Sequence, residues 1–233
     1  NFFIDRKIFS EMVLKKVCEE HDYYGSSSAG KGKRVVIDYS SPNIAKHLAV
    51  HHLRSALIGN AICHIYKTLG YTCIGINHLG DWGTQFGQLM VAYKRWGSED
   101  SYKSYTVTDL NNLYVKFHQE AEKNPLLEGE AREWFKKLEA GDQEARDLWQ
   151  RFKDISLREF QKIYEMLGIH FDAFVGESFY NTMVVDAVTR AKETGLTRVS
   201  DEALIVDLEP YGMPPCLLRK KDDATLYATR DIA

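Results

Sequence analysis

Two short stretches concentrate the residue types that do chemistry. The first is SSPNIAKHLAVHHLRS, residues 40–55, with one lysine, three histidines and one arginine around a proline turn. The second is NHLGDWGTQFG, residues 77–87, with His78, Asp81 and Gln85 between glycines. A turn entering a helix presents unpaired backbone N–H groups to an anion, and the helix dipole favours negative charge there. Lys46, His52 and Arg54 add cationic donors, so the first stretch suits a phosphate. A solvated basic helix start fits the same spacing, and spacing alone leaves both readings open. His47 and His51 are four apart and would share a helix face, which raises a metal. A zinc site needs a third protein ligand and a supporting shell. No H-E-x-x-H and no paired cysteines are present, so no metal site is assigned.

The elements that must position these residues follow from the pattern around them. RVVIDYS (34–40) is a β-branched run and reads as a buried strand. SPN breaks it, because proline disfavours helix before it and cannot donate to a ladder. A helix is expected next, with Leu53, Ala56, Leu57, Ala61, Ile65 and Leu69 as its apolar stripe and Gly70 as its stop. YTCIGINHLGD (71–81) reads as a second strand running into a polar loop. Strand, helix, strand at this spacing implies a parallel pair with a right-handed crossover, and ligands bind at the carboxyl ends of such strands.

Residues 1–20 read as a helix on Ile4, Ile8, Met12 and Val13, and GSSSAGKGK (25–33) reads as a mobile linker lacking the order of a phosphate loop. From about Gln85 to Arg198 the pattern is helical. Its apolar faces are Leu110, Leu113, Tyr114 and Phe117, capped by Thr108 or Asp109; Trp134, Phe135 and Leu138; and Phe152, Ile155, Phe160, Ile163, Tyr164 and Leu167, closed by Gly168. These aromatics read as core. EALIVDL (202–208) returns to strand character, and residues 215–231 read as two strands joined at KKDD. The divisions expected are 1–33, a helix and linker; 34–87, a βαβ unit; 88–198, a helical insertion; and 199–233, a return to the sheet. The class is α/β, a partial Rossmann-like parallel sheet with a mainly helical insertion.

A chain of 233 residues with 44% hydrophobic and 27% charged residues fits one large domain or a domain with an insertion. A net charge of −3 gives no global reason to bind nucleic acid. Apolar runs are too short to span a membrane, and no signal peptide is read. The absence of an initiator methionine points to a fragment, and a doubly wound sheet ending at Ala233 would need further strands. Cys18, Cys63, Cys73 and Cys216 are scattered and read as reduced thiols in a cytoplasmic protein.

VVIDYSSPNIAK, then HLRS with IGN close behind, then NHLGDWGTQFG, closely resemble the catalytic core of the arginyl-tRNA synthetase family. Residues 151–180 resemble the exit from that family's insertion, and 215–233 its arginine-site strand and helix start. The resemblance covers nearly all of 34–233. It implies activation of arginine with ATP and Mg2+, then transfer to tRNA(Arg), with no membrane partner. It implies that Asp38 faces the α-ammonium of arginine, that Asn43 faces the amino acid, and that Gln85 contacts substrate. Tyr227 and Asp231 match Y-x-T-R-D and would line the guanidinium pocket; read without the resemblance, Asp231 is a helix-start acid. Lys46, Val50, His52 and Ser55 would meet ATP, with Lys46 and His52 catalytic.

One departure bears on activity. The family's H-x-G-H is Ala49-Val50-His51-His52 here, so a histidine is replaced by alanine and a glycine by histidine. Losing one transition-state donor costs on the order of a hundredfold to a thousandfold in rate. Three origins compete: introduced changes, a natural paralogue that has lost activation, or His51 standing in for the missing imidazole. The chain is expected to be impaired or inactive alone. The alternative is a non-catalytic synthetase-like protein that binds arginine or tRNA.

Overall fold

The computed structural model describes residues 2–98, 104–221 and 226–233. A parallel sheet of three strands, in the order β1-β2-β3, carries the candidate site. β1 (Arg34–Asp38) and β2 (Thr72–Asn77) pair in parallel with Asp38 opposite Ile76. The crossover is α2 (Val50–Thr68), so the strand–helix–strand reading stands. The short β3 (Ala173–Phe174) pairs with the end of β2, placing Ala173 beside Ile76. Among the described residues, four α-helices lie between β2 and β3: α3 (Thr84–Trp96), α4 (Val107–Lys123), α5 (Leu126–Ala140) and α6 (Gln143–Leu167).

The core sits between the sheet and these helices. Phe86, Leu89, Met90, Val91, Ala92 and Tyr93 of α3 are buried, and Leu110 and Phe117 of α4 and Phe152, Phe160 and Tyr164 of α6 close over them. The α6 stripe is therefore as expected, and Gly168 ends the helix at φ 64°. The cap of α4 is Thr106, not Thr108. Thr106 Oγ1 accepts from the Asp109 N–H, and the Asp109 carboxylate accepts from the Thr106 N–H in return.

Several expectations change. β1 is an edge strand, not a buried one: among the described residues it pairs with β2 alone, and Val36 is 57% exposed. The apolar stripe of α2 holds at Ala56 but is otherwise misplaced. Its buried positions are Ala56, Gly59 and Cys63, whereas Leu53, Leu57, Ile58, Ile62 and Ile65 face outward. The sheet side of α2 needs small residues, because the Tyr39 ring lies where a side chain at position 59 would go. The 25–33 linker is tied down, with the Ser27 and Gly30 N–H groups donating to Thr68 and Leu69 carbonyls. The first helix, α1 (Arg6–Glu20), begins after Ile4, is capped by Asp5 and buries no residue.

After β3 come a 3₁₀ helix (Glu177–Thr182) and α7 (Val184–Glu193). β4 (Thr197–Ser200), β5 (Ala203–Val206) and β6 (Cys216–Arg219) then form an antiparallel sheet of their own. The expected return of 199–233 to the parallel sheet is thus corrected among the described residues. The second strand expected after KKDD is corrected too: α8 (Tyr227–Ile232) is helical, and residues 222–225 of that turn lie outside the described residues. All four cysteines are free thiols.

Candidate active site

Asp38 ends β1 with its carboxylate exposed at the carboxyl edge of the sheet. It accepts from Ser41 Oγ at 2.8 Å and from the His78 N–H at 3.3 Å, so it bridges the loops that leave β1 and β2. Asn43 forms an isolated parallel bridge to Gly80. The Gly80 N–H donates to the Pro42 carbonyl at 3.1 Å, and the Ile44 N–H donates to the Gly80 carbonyl at 3.2 Å. A side chain at position 80 would collide with Asn43 Oδ1, so glycine lets Asn43 lie against this loop. Asp38, Asn43 and His78 are therefore brought together, as the βαβ logic demands.

The helix does not start at SPN. Residues 39–49 form an irregular loop with Ser40, Ser41 and Ala45 at φ 73°, 50° and 60°, and α2 begins only at Val50. His47 thus precedes the helix and shares no face with His51; its Nε2 lies 3.3 Å from Thr108 Oγ1. Lys46 is exposed, its ammonium 5.9 Å from the Tyr114 ring centroid. Among the described residues, no group of three or more His, Cys, Asp or Glu is placed to hold a metal ion.

Ala49 caps α2 without a side-chain acceptor. Its N–H instead donates to His52 Nδ1 at 3.0 Å, and His52 Nε2 is 3.1 Å from His51 Nε2. A neutral imidazole has one donor and one acceptor nitrogen. With Nδ1 accepting, His52 carries its proton on Nε2 and donates it to His51. Burial first, and then the neighbouring His51, hold the His52 pKa below the ordinary histidine value. Val50 is 82% exposed, and Ser55 Oγ accepts from the Ser40 N–H at 3.2 Å. Ala49, Val50, His52 and Leu53 line one side of a cleft of about 210 Å³, with Tyr164 and Leu167 of α6 on the other.

Asp81 is fully buried. Its carboxylate takes Lys153 Nζ at 2.7 Å and the N–H and Oγ of Ser178, both at 2.8 Å. It binds α6 to the 3₁₀ helix and is not available to a ligand. Gln85 turns its amide onto the Trp82 carbonyl at 3.2 Å. Asp231 is exposed on α8, one residue beyond the buried Arg230, whose Nε is 3.7 Å from Glu177. Burial raises the Glu177 pKa; Arg230 and His78 lower it, while Asp81 and Asp231 raise it further. Glu177 therefore lies electrostatically between the β2 loop and α8. Tyr227 opens α8.

Three residues of the site escape a sequence reading. Tyr164 belongs to the core stripe of α6, yet its hydroxyl meets Ser40 Oγ at 2.8 Å and Asn77 Nδ2 at 3.0 Å. Ser156, also on α6, accepts from the Ala45 N–H at 2.8 Å. Asn77 alone leaves a trace, as a buried amide closing the apolar run TCIGIN.

Residues 13–233 match the family model described as tRNA synthetases class I (R), catalytic domain. The chain belongs to this class I synthetase family. It is 52% identical over all its 233 residues to arginine–tRNA ligase of Halothermothrix orenii, and 54% identical to that of Clostridium botulinum. The chain spans 41% of the length of each. It superimposes on the crystal structure of arginyl-tRNA synthetase from Plasmodium falciparum with a TM-score of 0.72 and 29% identity, over 98% of this chain and 40% of that one. The Thermus thermophilus arginyl-tRNA synthetase shares the fold, with a TM-score of 0.68 and 22% identity over 95% of this chain and 38% of that one. The partial parallel sheet with its large helical segment is thus the class I synthetase arrangement. No helix among the described residues of this family member is long and apolar enough to cross a membrane.

Proposed function

We propose that the chain is the arginine-activating part of an arginine–tRNA ligase. The observation that carries this reading is the meeting of Asp38 and Asn43 at the carboxyl ends of two parallel strands, where an α/β sheet takes its ligand. Asp38 accepts from the α-ammonium of arginine and Asn43 orients the amino acid. Asp231 holds the guanidinium through paired charge-assisted bonds, with Tyr227 and Gln85 beside it. The arginine carboxylate attacks the α-phosphorus of ATP, pyrophosphate leaves, and arginyl-adenylate remains. The terminal adenosine hydroxyl of tRNA(Arg) then attacks the acyl carbon and AMP leaves.

The protein acts by position and charge. Lys46 offers its ammonium to the phosphates. Val50, His52 and Ser55 meet the nucleotide along α2. Magnesium enters with ATP, held by phosphates and water. The helices α3–α6 between β2 and β3 serve contacts with the acceptor stem or between domains.

In this reading the chain activates arginine poorly. Ala49 offers no donor, and the one His52 N–H is given to His51. That clasp favours the second reading, a synthetase-like protein that binds arginine without activating it. Arginine-dependent ATP–pyrophosphate exchange separates the two when measured in the longest chain its coding sequence encodes. An Ala49→His, His51→Gly variant should raise exchange about a hundredfold or more, in line with one restored transition-state donor. No gain would mean that the departure from H-x-G-H does not limit the reaction. Arginine binding with no detectable ATP binding would favour the second reading.

A further inference from the structure

The Tyr164 ring is fully in the core, edge-on to Phe171 with centroids 4.9 Å apart. Packing alone gives that ring no need of a hydroxyl, and a buried hydroxyl costs free energy unless it is bonded. Here it is bonded twice. Asn77 Nδ2 donates to it, and it shares a second bond, in which either hydroxyl can donate, with Ser40 Oγ 2.8 Å away. The other end of the Asn77 amide, Oδ1, accepts from the Ser41 N–H at 3.2 Å. One phenol and one amide thereby hold two successive residues of the loop after β1.

Those residues are Ser40 and Ser41, at φ 73° and 50°. Non-glycine residues persist in this region when their surroundings over-determine them. The third such residue of the loop, Ala45, is held by Ser156, two turns earlier on the same helix as Tyr164. The consequence reaches the ligand side directly. Ser41 Oγ donates to the Asp38 carboxylate, and Asn43, two residues on, sits against Gly80. Packing of α6 is thus converted into the placement of two groups proposed to receive the amino acid.

We propose that Tyr164 is a positioning residue for amino-acid binding, acting through Ser40 and Asn77 on Asp38 and Asn43. This rests on the arginine-site reading for its ligand, but the mechanical link can be measured without it. The variants are Tyr164→Phe, which keeps the ring, Ser40→Ala, and the two together, each checked for folding by its thermal midpoint. The readouts are L-arginine binding by calorimetry and amide hydrogen exchange at Ser41 and at core amides of α3. Loss of one buried bond should weaken arginine binding about tenfold and speed exchange at Ser41 by a similar factor, with α3 unchanged. The double variant should fall no further than the worse single variant, because one chain of bonds is being cut. A folded Tyr164→Phe protein with unaltered arginine affinity overturns the positioning role, and so does exchange that rises uniformly with lost stability. Should Tyr164→Phe not fold, Ser40→Ala decides by the same criteria. If the unsubstituted chain does not bind L-arginine, the arginine-site reading fails, and exchange at Ser41 alone decides whether Tyr164 holds the loop.

Discussion

The imidazoles of His51 and His52 meet through their Nε2 atoms at 3.1 Å. His52 Nδ1 already accepts from the Ala49 N–H, so a second proton on the His52 ring would break that bond. The His52 pKa is lowered from 6.5 in the fold, so the unfolded chain binds this proton more readily. The stabilisation is therefore complete above the ordinary histidine value and is lost as pH falls through the folded value. Urea midpoints taken from about pH 8 down to about pH 5 should fall in the native chain and fall less in His51→Gly. The His52 ring signals in NMR should titrate higher in that variant, because removing His51 removes one cause of the depression. An unchanged His52 titration would show that the two rings do not interact.

Asp81 provides a test of what holds the β2 loop. It is 0% exposed and paired with Lys153, whose side chain is 16% exposed. Removing one partner of a buried pair strands the other charge, so Asp81→Ala should cost about 3 kcal/mol in denaturant unfolding. Asp81→Asn keeps a hydrogen-bonding group for Ser178 and should cost less. Equal, small losses in both would mean that the carboxylate contributes little.

Gly80 permits the two strand-end loops to touch. Gly80→Ala drives a methyl into Asn43 Oδ1, and that side chain has to move. Overpacking of this kind costs about 1–3 kcal/mol. The expected outcome is weaker arginine binding in calorimetry, accompanied by a loss of stability in that range. Full retention of both would show that Asn43 can leave Gly80 freely.

Asp231 is exposed on α8 and is proposed to grip the guanidinium. Asp231→Asn removes a charge-assisted pair worth about 1.5–3 kcal/mol, so arginine affinity should fall about tenfold to a hundredfold. Stability should hardly change, because the side chain is solvated. A drop in stability without a drop in affinity would make Asp231 a structural acid of α8 and not a ligand group.

The parallel strand pair was legible because β-branched runs, a proline break and a crossover of helical length each have a local physical cause. The α6 stripe was legible for the same kind of reason, since Phe152, Ile155, Phe160 and Tyr164 recur at helical spacing. The buried face of α2 was not. Ala56 of the expected stripe is inside, but Leu53, Leu57 and Ile65 are not, and Gly59 and Cys63 are; at position 59 the Tyr39 ring leaves no room for a side chain. The antiparallel β4–β5–β6 sheet was missed for a related reason: short strands announce themselves locally but do not say which neighbour they pair with.

The sequence by itself determined the family, the order of the site-bearing loops and the departure at Ala49 and His51, because these are written in contiguous residues. Only the tertiary structure decided which nitrogen of His52 carries its proton, that Asp81 is consumed by Lys153 and Ser178, and that Tyr164 reaches Ser40 across 124 residues of chain. A hydrogen bond needs two groups within about 3 Å at a workable angle, and no local periodicity records where a distant partner comes to rest.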